Sequence, residues 1–570
     1  MKLLRLKINN SFRSLPAGFE IIFRDHKKDL EKNLDEPICL VGINGSGKSN
    51  VLEALAEVFS YIDQSFLSFV MNHSDSPIIN SFELEYLIPF TWDKEFITSD
   101  STLSLNSKYI HIKIFKDFDV KPVFSWIENG VENQIIDKII TALPQRIIGY
   151  SSGQNELLSI PFNRAKFRYY NTLLQEQKST YRESVDYSRL KYIDYDENAS
   201  ILLSNYLMAK GREIDIFKER LNISDISSFE LSINRHQKKT GILTVDKEID
   251  KLLLFFKNKS DSASETSSGN ELYEFTVTPE LKKEFQENFL DAVGLYTLFK
   301  RLGYLNLNSI PKGKIDSLLS SQVEIYENYK NIDFASNKKL FQISRISISK
   351  INIDHPINYR NLSDGEHQFI HIIGTLMMMK DESALFLFDE PETHFNPQWK
   401  YEYTETFKKV TNNSKSQILL TTHDPVLISG LAKENVIVFN KPEIGTERTY
   451  RPEKDLKGMG VDAILTSEIF GLNSTLDSGT LNDMIDRRKL LVKKEKEELT
   501  TGENLLLVTL SEKLMDIDFN KPFADPLYKD FIMAIENLDV YKNTELTHSE
   551  IKEREEIAKE IMNKLNENGF

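Results

Sequence analysis

The sequence predicts an α/β protein whose main domain is assembled from two distant segments, and three observations carry that expectation. The first is "GINGSGKS", Gly42 to Ser49, with the apolar run "PICLVG" before it and the amphipathic "NVLEALAEVF" after it. The second is "ALFLFDEP", an apolar run that ends in Asp389 and Glu390. The third is the alternation from "NLSDGEHQFIHIIGTLMMM" through "QILLTTHDP" to "NVIVFN", which reads as parallel strands joined by helices.

Taken in order, "MKLLRLKINN" alternates as a strand does, "ICLVG" is a short buried strand, and Val51, Leu55, Val58 and Phe59 share one face of a helix. "SFELEYLI" and "YIHIKIF" are further strands, and the first segment closes near "QRIIGYSSGQNE". The expected organisation is an N-terminal lobe over 1–156, a mainly helical insertion over 157–340, a C-terminal lobe over 341–470 and a helical tail over 471–570. Within the insertion, "KSDSASETSSGN" (259–270) has no apolar period and is expected to be a loop.

Composition narrows the class. The 570 residues are 40% hydrophobic and 28% charged, as in a globular protein with a sizeable core. No apolar run reaches the roughly 18–20 residues that a membrane span needs. The N-terminus has neither the apolar core nor the cleavage site of a signal peptide. The single cysteine, Cys39, lies in an apolar strand, so a reducing, cytoplasmic setting is expected. A net charge of −15 leaves no global footprint for nucleic acid. The basic run "RRKLLVKKEK", Arg487 to Lys496, is followed at once by glutamates and reads as a solvated helix face.

The chemistry concentrates in four places. In "GINGSGKS" the glycines let backbone N–H groups curl around phosphates, Lys48 reaches the β- and γ-phosphates, and Ser49 offers its hydroxyl to Mg²⁺. Gly42, Asn44, Gly45, Ser46, Gly47, Lys48, Ser49 and Asn50 are therefore the expected ATP-binding residues. Asp389 is placed to hold Mg²⁺ directly or through water, and Glu390 to act as base or orienter for the attacking water. His423, ending the next strand in "TTHDP", is expected to sense the γ-phosphate, the alternative being a structural strand-end histidine. Gln154, after "RIIGY", is either a further Mg²⁺ or water ligand or a polar turn residue. Two decoys are set aside: His367 and His371 form a helical pair without a third ligand, and Asp516–Ile517–Asp518 has no partner glutamate.

These elements in this order, with "LSDGE" ahead of the Asp389 strand, resemble the ABC-type ATPase superfamily, in the branch of SMC, RecF and OLD heads. The resemblance implies an ABC-type P-loop NTPase head formed from two distant segments, with the insertion and tail outside it. "LSDGEHQ" is similar to the superfamily's signature loop, with Asp364 and Glu366 where many members have glycine and glutamine. It implies that Ser363 and Gly365 cap an ATP held by the Lys48 of a second copy, and that Asn396, in "DEPETHFNP", lies in a loop crossing the interface between copies. "MKLLRLKINNSFRSL" and "IIGYSSGQNE" further resemble the PtuA-type ATPases of Septu and retron defence systems. That likeness implies a homodimer or higher homo-oligomer and a partner HNH nuclease. In retrons it also implies a reverse transcriptase with its RNA–DNA product.

Two other functions compete with a regulatory ATPase of antiviral defence. One is a DNA-repair ATPase of the RecF/SMC kind, and the other is a scaffold that binds ATP without hydrolysing it. The intact Asp389–Glu390 pair argues against the scaffold.

Overall fold

The computed structural model describes residues 1–24, 36–66, 78–90, 109–136, 139–152, 156–176, 189–211, 213–234, 247–265, 271–304, 306, 339–411, 414–440, 448–472, 474–496, 498–515, 535, 538 and 548–567. The chain forms two compact units, Met1–His423 with Asn435–Phe439, and Asp424–Glu434 with Asn440–Phe570.

The first unit begins with β1 (Lys2–Ile8), β2 (Phe19–Ile22), β3 (Ile38–Gly42), α1 (Lys48–Phe66), β4 (Phe82–Pro89), β5 (Tyr109–Lys116), β6 (Val123–Glu128), β7 (Val131–Ile135) and β8 (Arg146–Ser151). An antiparallel sheet runs β2-β1-β4-β5-β6-β7. Its strands alternate as a one-sided sheet requires: Phe82, Leu84, Tyr86 and Ile88 are buried, while Glu83 and Glu85 lie on the wetter face beside Arg5.

Next come α2 (Ser159–Glu176), β9 (Leu190–Tyr192), α3 (Asn198–Met208), α4 (Asp215–Leu221), β10 (Ile223–Ile233), α5 (Lys247–Lys259), β11 (Ser262–Glu265), β12 (Glu271–Thr276), α6 (Pro279–Asn288), α7 (Ala292–Tyr304), β13 (Phe341–Lys350) and β14 (Ile357–Asn358). The insertion thus carries helices as expected, but it also supplies β10, β11 and β12 of an antiparallel sheet in the order β11-β12-β10-β13-β14, which the sequence reading missed. Two corrections follow. Position 340 does not separate this sheet from the C-terminal lobe, because β13 and β14 lie beyond 340 and β13 pairs with β10. Part of the expected loop at 259–270 is strand β11, paired with β12. All four β11 side chains are exposed, so edge-strand pairing through the backbone left no apolar signal to read. Residues 266–270 lie outside the described residues.

The remainder of the unit is α8 (Asp364–Met379), β15 (Ala384–Asp389), α9 (Pro397–Thr411), β16 (Gln417–Thr422) and β17 (Val436–Phe439). Here the predicted parallel layer appears, in the order β17-β3-β16-β15-β8-β9. Every residue of β3, β15, β16 and β17 is buried, as expected of a parallel sheet covered on both faces. Cys39 lies within β3 and is fully buried, and burial raises its thiol pKa. Register aligns Asp389 with Ser151 and with Thr421, Thr422 with Val41, and Gly42 with Phe439. The carboxyl ends of β3, β16, β15 and β8 therefore share one edge, where open α/β sheets bind their ligands.

The second unit contains α10 (Pro425–Ile428), β18 (Thr449–Tyr450), α11 (Val461–Leu465), α12 (Ser478–Glu495), α13 (Thr501–Met515) and α14 (His548–Glu567). It starts at Asp424 and excludes Asn435–Phe439. The basic run lies on α12 and is only partly solvated: Arg487 is buried and donates to Ser511 (3.0 Å), while Leu490 packs on Leu507 and Leu510. Asp516 and Asp518 lie outside the described residues. Among the described residues, no helix is long and apolar enough to cross a membrane.

Candidate active site

The loop between β3 and α1 is shaped by glycine where no other residue fits. Gly42 has φ +149°, and a Cβ there would stand 2.7 Å from the Phe439 carbonyl oxygen. Gly47, at φ +107°, would meet Ser14 Oγ at 3.0 Å. That serine belongs to a turn held beside the loop by an ion pair between Arg13 and the buried Glu53 of α1 (2.8 Å). Asn50 donates to the same Ser14 hydroxyl (2.7 Å), so its amide ties the turn to the helix. Asn44 and Gly45 are exposed at the lip.

Lys48, the first residue of α1, folds its ammonium over the loop and donates to the carbonyls of Gly42 (2.8 Å) and Ile43 (3.0 Å). Burial lowers its pKa, and Glu390 and Asp389 partly oppose that shift. Ser46 is buried, and its Oγ has no hydrogen-bond partner among the described residues. A glycine-shaped loop, a lysine bonded among the described residues only to loop carbonyls, and the Ser46 hydroxyl together suit a polyphosphate at a helix N-terminus.

Opposite stands the end of β15. Asp389 Oδ1 accepts from Ser49 Oγ (2.7 Å) and from Thr421 Oγ1 (2.6 Å). Burial raises the Asp389 pKa against these hydrogen bonds. Two hard oxygen donors side by side, Ser49 Oγ and Asp389, fit Mg²⁺.

Glu390 has φ +47°, a left-handed conformation that costs a non-glycine residue about 1–3 kcal/mol. Its N–H donates to the carbonyl and the hydroxyl oxygen of Thr421, both at 3.2 Å. Its carbonyl accepts from Ser152 Oγ (2.5 Å) and Thr393 Oγ1 (2.9 Å). Its carboxylate lies 2.9 Å from His423 Nδ1. An ionised carboxylate can only accept, so Nδ1 carries the proton in that pair. Beside them, Thr422 Oγ1 donates to Glu392, which is buried.

The signature loop has a different local logic. Ser363 caps α8 in a capping box: Glu366 accepts from the Ser363 N–H (2.8 Å) and hydroxyl (2.9 Å), and Ser363 Oγ accepts from the Glu366 N–H (3.4 Å). Burial raises the Glu366 pKa, but Lys350 and Ser363 outweigh it and the net shift is downward. Glutamate at this position is thus explained by capping. Ser363 and Asp364 are exposed. Gly365 is buried, and a Cβ there would lie 2.8 Å from the His394 carbonyl oxygen of its own chain. Asn396 caps α9 by accepting from the Trp399 N–H (2.8 Å). His367 bonds Asn198 (2.7 Å), and His371 bonds the Asp194 carbonyl (2.9 Å), so both rings serve α8 packing.

The structure therefore gathers Lys48, Ser49, Asp389, Glu390 and His423 at one sheet edge. Ser363 makes its hydrogen bonds with Glu366 rather than with the P-loop. Gln154 lies outside the described residues. Ser152, Thr393, Thr421 and Glu392 were missed by sequence reasoning; only strand register and the turn after Asp389 reveal them.

The sequence pattern of the AAA ATPase domain family matches residues 1–428. The chain belongs to that family. This AAA ATPase-domain protein is thus an ATPase, in keeping with the order of its P-loop, signature, Asp389–Glu390 and His423 elements. It is 30% identical over 159 residues to the Septu protein PtuA of Bacillus mycoides, covering 26% of this chain and 22% of that one. It is 24% identical over 199 residues to protein ea59 of Escherichia phage lambda, covering 34% and 36%. It is 26% identical over 132 residues to the energy-coupling factor transporter ATP-binding protein EcfA1 of Geobacillus kaustophilus, covering 22% and 46%. The matched stretches span less than half the length of each of these curated relatives. Among solved structures, the SMC head bound to the C-winged helix domain of ScpA is similar at 13% identity and a TM-score of 0.33, covering 79% of this chain and 98% of that one. The SMC head domain from Thermotoga maritima is similar at 11% identity and a TM-score of 0.29, with the same 79% and 98% coverage.

Proposed function

We propose that this ATPase is the regulatory subunit of a bacterial anti-phage defence system of the Septu or retron kind. In this reading its heads close in pairs on ATP and control a partner HNH nuclease; in a retron, a reverse transcriptase and its RNA–DNA product join the assembly. The observation that carries the catalytic part is the convergence of Lys48, Ser49, Asp389, Glu390 and His423 at the carboxyl ends of adjacent strands. The partial identity to the Septu protein PtuA supports the defence setting.

On binding, Lys48 exchanges its loop carbonyls for the β- and γ-phosphates. Ser49 and Asp389, joined by a hydrogen bond at the sheet edge, would hold Mg²⁺, which would supply positive charge to the phosphate oxygens. Glu390 orients a water whose oxygen bonds the γ-phosphorus as the bond to the β-phosphate oxygen breaks, and it accepts the water's proton. His423, holding Glu390 through Nδ1, presents Nε2 to the γ-phosphate. Donation to that phosphate from Nε2 while Nδ1 serves Glu390 requires the doubly protonated ring. Ser363 and the N-terminus of α8 reach the γ-phosphate of the other copy, the helix dipole favouring an anion there.

The test is cleavage of DNA and RNA by the purified chain with Mg²⁺, with and without a co-expressed HNH nuclease. Expected is cleavage only with the nuclease present, at a level that changes with ATP. Robust cleavage by the chain alone, or nuclease activity indifferent to this chain and to ATP, would overturn the reading.

A further inference from the structure

The backbone of Glu390 is held from both sides by hydroxyl groups that no expected site contains. Register pairs Ser151 with Asp389 on one flank and Thr421 with Asp389 on the other, so the next step of each strand falls beside Glu390. On the β8 flank the Ser152 N–H continues the ladder to the Asp389 carbonyl (3.2 Å), while its Oγ donates to the Glu390 carbonyl (2.5 Å). Thr393, three residues on in the same turn, donates to that carbonyl as well (2.9 Å), and the two hydroxyl oxygens are 2.7 Å apart. On the β16 flank Thr421 receives the Glu390 N–H. The residue so held has φ +47°, which a glutamate does not keep without such support.

We infer that Ser152 and Thr393 are positioning residues for ATP hydrolysis: their paired hydroxyls clamp the Glu390 carbonyl and lock the left-handed backbone that aims the carboxylate at His423. The inference rests on reading Glu390 as the residue that orients the attacking water. Without the clamp, the Glu390 peptide relaxes to negative φ and its carboxylate swings off the line to His423 Nδ1. Ser152 is half-buried and Thr393 exposed, so removing either hydroxyl opens no cavity in the core. Because both serve one acceptor, each covers for the loss of the other, and their effects are not additive.

Ser152→Ala, Thr393→Val and the double variant of the full chain separate these roles, with Ser152→Thr in the Thr393→Val background as the rescue. Each single variant is expected to lower kcat by less than about threefold and the double variant by about tenfold or more, which is the non-additivity of a shared contact. Affinity for a fluorescent ATP analogue and Tm stay near wild type, and the rescue variant recovers most of the rate. A crystal structure of the double variant shows Glu390 at negative φ and parted from His423. The inference is overturned if the double variant keeps wild-type kcat, if its rate falls only together with affinity and Tm, or if Glu390 keeps its left-handed φ. Wild-type turnover by Glu390→Gln would instead overturn the reading of Glu390, and the crystallographic comparison would still decide whether the hydroxyls hold its backbone.

Discussion

At Glu390 the backbone, the carboxylate and two neighbouring strands meet, and in the proposed function the rate of ATP hydrolysis depends on that meeting. Glu390→Gln keeps the shape and loses the basic carboxylate that takes the proton, so turnover should fall by about 10²–10⁴-fold, the usual contribution of a positioned base. Phosphate release measured beside ATP affinity checks this, with affinity expected to hold because Lys48 and Ser49 are untouched. That Lys48, Ser49, Asp389 and Glu390 lie together was legible in the sequence because the expected chemistry imposes spacing: a phosphate-binding lysine opens a helix, and an aspartate proposed to hold a metal ends a buried strand. Ser152 and Thr421 were not legible. They are ordinary strand-end residues until register sets them beside Glu390. Asn50 and Asn396 were singled out by position in a motif, and the structure uses both amides locally, one on Ser14 and one as a helix cap.

Among the elements, α8 gives the clearest mechanical consequences. Its N-terminus approaches the His394 carbonyl so closely that Gly365→Ala must push the two apart. The expected cost is about 1–3 kcal/mol of stability, read as a lower Tm, because the crowding atom is backbone and cannot rotate away. Further along, burial lowers the pKa of His371 from 6.5 to about 4, so the ring stays neutral in the fold. The unfolded chain takes up this proton below its unperturbed pKa while the folded chain refuses it until about pH 4. Stability from this group is therefore complete above pH 6.5 and lost as pH falls from 6.5 towards 4. Tm measured against pH should fall less steeply across that interval in His371→Gln than in wild type. The parallel strands were legible because burial on both faces writes continuous apolar runs, and α8 because a polar glycine turn gave way to a long apolar stretch. β11 was not, because its exposed side chains respond to water while its backbone makes the sheet. The insertion's antiparallel sheet was hidden for a related reason: β10 opens with "ISDISS" before its alternation becomes regular.

For the whole molecule, the proposed function has the ATP site completed by a second copy. The P-loop, Asp389, Glu390 and His423 assemble within one chain, while Ser363 is exposed at a capped helix terminus and bonded to Glu366. Asp364 beside it is exposed too. The most direct measurement is ATP hydrolysis by two defective chains, Lys48→Ala and Ser363→Arg, assayed separately and then mixed. Each alone should be nearly inactive, and the mixture should recover a substantial fraction of wild-type turnover, since a mixed pair keeps one site with an intact Lys48 facing an intact Ser363. Full activity of the Ser363→Arg chain by itself, or no recovery on mixing, would contradict the account.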